Sequence, residues 1–142
     1  YKSELVAMRL SSKERTALLA MAELARRYGD GPAALSEVAA TQGLPLPYLE
    51  RVTALLRRAG LVASMRGAHG GYYLTREPGR IRVSEVLTAV EGDLLPIGCL
   101  VKGGPRCNRE AICATRNVWE HVAAVLSQTL DSMTLADIIQ KR

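Results

Sequence analysis

The feature that most constrains this chain is the way glycine cuts the stretch from residue 36 to residue 75 into short pieces of different periodicity. Ser36 is placed to cap a short helix over 36–42 with Val38 and Ala39 facing inward, and Gly43 stands where helices commonly end. After a brief turn over 44–46, Pro47, tolerated in a first helical turn, opens a longer helix to about residue 59. Leu49, Val52, Leu55 and Leu56 form its apolar stripe, and Gly60 closes it. Two helices about a tight turn, the second amphipathic and bearing Arg51, Arg57 and Arg58, have the layout of a helix-turn-helix. The period then changes to that of strands. Residues 61–65 and 72–75 read as a hairpin around Arg66-Gly67-Ala68-His69-Gly70-Gly71, which is a β-wing. Its tip glycines let backbone approach a duplex closely, and Arg66 suits a minor groove or phosphates.

The flanking segments read as helices. Ser11 and Glu14 have capping-box spacing, and the run to residue 28 is apolar almost all round, a buried first helix stopped by Gly29, Asp30, Gly31 and Pro32. Residues 83–91 form a short helix ended by Gly92. In 117–133, Trp119, Val122, Leu126, Leu130 and Met133 recur three and four residues apart, the seam of a helix that packs on another helix. Thr134 and Asp137 cap a last helix over 135–140. The expected fold is mainly α with a small β-wing: a winged helix-turn-helix domain over 8–92, a cysteine-bearing loop over 93–115, and a dimerisation helix with a C-terminal helix over 116–142. Tyr1 to Ala7, ahead of Met8, read as an extension.

Charge is distributed to match. Residues 8–82 hold twelve Lys or Arg against six Asp or Glu, whereas 83–142 hold six against seven, so an anionic partner belongs on the first half. No apolar run approaches the roughly 18 residues of a membrane span, and no secretory signal stands at the N-terminus, which gives the expectation of a soluble cytoplasmic protein with no membrane partner. Two histidines, no paired-carboxylate motif, no phosphate-binding glycine loop and no nucleophile elbow leave little for an enzyme or a small-molecule substrate. Three cysteines, Cys99, Cys107 and Cys113, fall within fifteen residues, an odd number that suits a thiol or metal site better than a disulfide framework.

Met8-Arg9-Leu10-Ser11-Ser12-Lys13, Tyr48-Leu49-Glu50, Gly60-Leu61-Val62 with the wing motif through Tyr72, and Thr134-Leu135-Ala136-Asp137 together resemble the IscR-like winged-helix regulators over essentially residues 8–140. The resemblance implies a homodimer on a partly palindromic double-stranded DNA operator, with the second helix of the motif in major grooves and the wings in minor grooves. It also implies base contacts by Glu50 and Arg66. Tyr48, Arg51 and His69 are added from their place on the same helix and wing, with packing beneath the helix standing equally beside phosphate contact for Tyr48. Pro47 departs from the small polar residue of the enterobacterial relative, which bears on the operator sequence.

Thiolates are soft ligands for iron-sulfur clusters, zinc and copper, and the glycines and Pro105 between the three cysteines let the chain wrap a small inorganic centre. The family pattern implies an iron-sulfur cluster, [2Fe-2S] ahead of [4Fe-4S], with a histidine three residues after the last cysteine. Here that position is Arg116. His121, about 12 Å along a helix from Cys113, does not replace it. Glu14 and Glu110 remain as carboxylate candidates, and the aspartate of nitric-oxide-sensing relatives is matched by Arg15. The alternative is a winged-helix regulator of thiol or cysteine metabolism, controlled by a protein partner, by thiol oxidation or by zinc without a cluster.

Overall fold

The computed structural model describes residues 12–91 and 115–140. In chain order the elements are α1 Ser12–Arg26, α2 Leu35–Gln42, α3 Leu46–Arg58, β1 Val62–Met65, β2 Gly71–Leu74, a 3-10 turn Pro78–Arg80, α4 Val83–Glu91, α5 Arg116–Ser132 and α6 Leu135–Gln140. The described residues are thus mostly helical, with one two-stranded antiparallel sheet. Ser11, the expected cap of α1, lies outside them.

α1 is the hub. Ala17, Ala20, Met21, Ala22, Leu24 and Ala25 are all buried, because α2, α3, α4 and α6 pack around it. Alanine's lack of bulk lets several neighbouring backbones approach one helix, while its propensity keeps that helix formed. Met21, Val38, Leu49, Val52, Leu56, Val62, Ile81, Val86 and Leu135 complete a single core.

α2 begins one residue before its expected cap. Ala34, with extended backbone, holds the cap position without a side-chain hydrogen bond, and Ser36 is exposed inside the helix. The cause is long-range. Ala33 bridges to Tyr72 through Ala33 N–H to the Tyr72 carbonyl at 2.9 Å and Tyr72 N–H to the Ala33 carbonyl at 2.8 Å, which sets where the chain leaves the sheet. Gly43 then adopts the left-handed conformation (φ 66°) that ends the helix.

The core face of α3 is Leu49, Val52, Thr53 and Leu56, with Leu55 half-buried. Thr53 satisfies its buried hydroxyl by donating to the Leu49 carbonyl at 2.7 Å. In the wing, Val62 pairs with Leu74 at the buried base, and Met65 pairs with Gly71 nearest the tip.

Val83, Val86, Leu87 and Val90 carry α4 into the core, and Glu85 caps its start by accepting from Arg82 N–H at 3.1 Å. α5 packs against α4 with Ala123 buried. The expected Thr134–Asp137 cap forms, with Thr134 N–H donating to Asp137 Oδ2 at 2.9 Å. Two backbone bonds, Val83 N–H to Met133 O at 2.8 Å and Leu135 N–H to Ile81 O at 3.0 Å, clamp the α5–α6 junction onto the segment before α4. Buried Leu135 then seats α6 against α1 and the 3-10 turn.

Candidate nucleic-acid interface

The burial of Leu49, Val52, Thr53 and Leu56 fixes which side of α3 looks outward. That side presents Pro47, Glu50, Arg51, Ala54, Arg57 and Arg58, all exposed and spaced at three and four residues. Ala54 in the middle keeps the surface low, so a helix this decorated at both ends can lie close to a groove floor. Arg57 and Arg58 occupy the last turn, where cations also favour the helix dipole. Among the described residues neither Glu50 nor any of Arg51, Arg57, Arg58 and Arg66 has an ion-pair partner, whereas Arg27 and Arg76 each hold a carboxylate at short range. The outward face is therefore a field of uncompensated positive charge with one glutamate in it.

Of the residues expected at the site, Glu50 and Arg51 stand together on this face, and Arg66 and His69 are exposed in the wing turn. Tyr48 differs: it is half-buried and packs against the core beneath the first turn of α3. The wing turn is set by glycine. Gly67 has φ 120°, its carbonyl accepts from Gly70 N–H at 3.0 Å, and a Cβ on Gly70 would collide with the Met65 carbonyl. At the wing's base Thr75 donates its hydroxyl to the Gly60 carbonyl at 2.7 Å, so wing and α3 are joined at adjoining ends.

A buried carboxylate that the sequence did not single out holds the first helix of the motif in place. Glu23, in the middle of α1's apolar surface, accepts from Arg27 Nε at 2.8 Å and from Gln42 Nε2, at the end of α2, at 2.9 Å. Arg27 Nη1 continues to Glu37 of α2 at 2.8 Å. Burial would raise the Glu23 carboxyl, but the hydrogen bonds from Arg27 and Gln42 and the charges of Arg27 and Arg26 hold it below the ordinary glutamate value. The hydrogen bonds to Glu23 and Glu37 likewise keep Arg27 firmly protonated. The only signal in the sequence was a charge inside an apolar run, with its partners 4 and 19 residues away.

Cys99, Cys107 and Cys113 lie outside the described residues, as does Glu110. Among the described residues no group of three or more His, Cys, Asp or Glu side chains could hold a metal ion. Arg116, at the position where a histidine was expected, pairs with Glu120 at 2.7 Å, and His121 is exposed on α5. No helix of the described residues is long and apolar enough to cross a membrane.

Residues 10–141 match the Rrf2 family, described as an iron-dependent transcriptional regulator. The chain belongs to the Rrf2 family. As an Rrf2 chain it is similar to two kinds of relative at once. It is 38% identical over 131 residues to the HTH-type transcriptional regulator CymR of Bacillus subtilis, covering 92% of this chain and 89% of that one. It is equally 38% identical over 135 residues to the HTH-type transcriptional regulator IscR of Cronobacter sakazakii, covering 95% of this chain and 82% of the relative. Among solved structures, B. subtilis CymR, described as the global cysteine regulator, superposes with a TM-score of 0.78 at 35% identity, covering 95% and 98% of the two chains. IscR of T. potens gives 0.75 at 38%, covering 94% and 87%. The winged-helix fold and the IscR-like resemblance read from the sequence are thereby shown, and this Rrf2 chain is a transcriptional regulator related to both IscR and CymR.

Proposed function

We propose that this Rrf2 chain acts as a homodimer that lays the outward face of α3 in the major groove of its operator and the wing in the adjoining minor groove. The observation that carries this reading is the grouping of Arg51, Arg57 and Arg58 on one exposed face of α3, with exposed Arg66 in the wing, none of them with an ion-pair partner among the described residues. Glu50 and Arg51, in the second turn of α3, are the base-edge readers. Arg57 and Arg58 are phosphate contacts that fix register, Arg66 and His69 serve the wing, and Tyr48 seats the helix from beneath. Binding to a duplex selected from a random-sequence library, followed by anisotropy against salt, tests this. A steep salt dependence that Arg51→Ala and Arg66→Ala weaken is expected, and binding insensitive to both refutes it.

The second copy belongs on α5. Ala123, Leu130, Trp119, Leu126, Met133, Val122, Val118 and Val125 fall on one arc of roughly 160° at 3.6 residues per turn. Only Ala123, at one edge, is fully buried, while Val118 is 55% and Val125 47% exposed at the other. An apolar arc this wide with one covered edge fits a helix shared between copies. In this scheme residues 8–92 read DNA, 93–115 carry the sensing thiols and 116–142 join the copies.

For the sensor, three thiols are a donor set that fits an iron-sulfur cluster, so Cys99, Cys107 and Cys113 are the residues that would hold it. When bound, such a cluster supplies a redox-sensitive inorganic centre. The three cysteines lie in chain order between α4 and α5, so whatever gathers their thiols also governs the link between the reading half and the dimer helix. A guanidinium has no lone pair to offer a metal, which leaves Arg116 unable to complete the ligand set. That departure, with the equal likeness to CymR, favours a second reading in which the thiols act by oxidation, through zinc or through a partner protein. Anaerobic purification separates the two. Visible charge-transfer absorption with matching iron and sulfide, lost in Cys99→Ala, Cys107→Ala and Cys113→Ala, supports the cluster, and a colourless protein supports the second reading.

A further inference from the structure

Among the described residues, the large hydrophobic side chains that stay exposed fall into two groups. Val118, Trp119 and Val125 are on α5. The other three are Tyr28 at 47%, Met65 at 53% and Tyr73 at 37% exposed, and they come together around a cavity of about 420 Å³ between the C-terminal end of α1 and the wing. The sheet register explains the meeting: Tyr73 pairs with Ala63 and Met65 with Gly71, so strand alternation puts Met65 and Tyr73 on the same face of the hairpin. Leu24, Arg27 and Pro32 are among the other residues that line it.

We infer that this cavity is a binding site for a small, uncharged aromatic molecule. Its volume lies in the range of roughly 300–1,000 Å³ typical of small-ligand pockets, and its concavity suits a small molecule better than a flat protein surface. Two phenol rings and a thioether offer faces and edges that favour an aromatic ring over an aliphatic chain. Charge sets the ligand's class. Arg27, the cation in the wall, already has Nε on Glu23 and Nη1 on Glu37, each at 2.8 Å, so it does not call for an anion. Neither the Tyr28 nor the Tyr73 hydroxyl has a partner among the described residues, which leaves both to orient a polar substituent on the ring. Because the site joins the helix at the centre of the fold to the outer face of the wing, an occupant ties the wing to α1. That consequence for DNA rests on the wing reading proposed above, whereas the binding itself does not.

The test uses 2-naphthol with the full chain in the absence of DNA, followed by saturation-transfer NMR and a fluorescence titration. Saturable binding at one site per chain is expected, weakened at least tenfold by Tyr28→Ala or Tyr73→Ala and unchanged by Gln128→Ala on the polar side of α5. Met65→Glu, at an exposed position that leaves folding intact by circular dichroism, is expected to abolish it. 2-Naphthoate, the same ring with a carboxylate, is expected to bind at least tenfold more weakly. Non-saturable binding, wild-type affinity in both tyrosine variants and Met65→Glu, or loss of binding in Gln128→Ala overturns the site. Naphthoate binding as tightly as naphthol overturns the ligand class.

Discussion

Replacing Glu23 by alanine removes the acceptor that joins α1 to α2, and the structure sets the size of the effect. Two short hydrogen bonds are lost, from Arg27 at 2.8 Å and Gln42 at 2.9 Å, while the contact to Arg26 at 3.5 Å is too long to count for much. Charge-assisted bonds contribute about 1.5–3 kcal/mol each. The Arg27 side chain is 30% exposed and keeps Glu37, so water and that second carboxylate recover part of its share. The expected loss is about 2–3 kcal/mol, or roughly 6–9 °C in Tm for a chain of this length. Urea unfolding at fixed chain concentration measures it. Glu23→Gln, which keeps the shape and an acceptor oxygen, costs about 1 kcal/mol and changes the pH profile. The native carboxyl titrates below the ordinary value of 4.5, so its contribution is full above that pH and is lost as pH falls through the depressed folded value. The amide has no such acid limb. An alanine variant within about 0.5 kcal/mol of wild type, or a glutamine variant with an unchanged acid limb, refutes the assignment of Glu23 as the α1–α2 joint.

Gly71→Ala places a Cβ against the Ala33 carbonyl at a φ of 153°, so it is expected to cost about 2 kcal/mol or more and to weaken the Ala33–Tyr72 bridge. Urea unfolding checks it, and a near-native value refutes the close approach. Leu135→Ala empties a fully buried site and is expected to cost about 2–5 kcal/mol. Sedimentation should show weaker self-association as well, since the end of α5 loses its anchor. Arg57→Ala or Arg58→Ala should weaken DNA binding evenly across sequences and lower the salt slope by about 1, whereas Glu50→Ala should alter sequence preference. Anisotropy with matched and mismatched duplexes distinguishes these outcomes.

Much of this was legible because it is encoded locally. The α4 and α6 bounds and the Thr134–Asp137 cap follow from short-range apolar spacing and capping chemistry, and the helix-turn-helix follows from Gly43, Gly60 and the α3 stripe. What escaped the sequence was long-range. The Ala33–Tyr72 bridge joins residues 39 positions apart, moves the start of α2 ahead of Ser36 and depends on Gly71 being bare. Tyr48 faced core or solvent with equal plausibility until the tertiary packing put it partly under α3. The cavity between α1 and the wing arises from elements more than 30 residues apart, so no window of sequence contains it.

The clamp at Ile81–Val83 and Met133–Leu135 gives α5 an unusual mechanical position. Its far end is pinned to the segment before α4 by backbone bonds, and its near end follows directly on the segment that carries the cysteines. A 17-residue helix is a rigid arm of roughly 25 Å, and this one is held on α4 at Ala123 as well as at Met133, so a pull at Thr115 is carried along it to both supports without stretching it. In the proposed dimer, where two copies share that arc, a displacement near residue 115 would be passed through one stiff element to both copies at once.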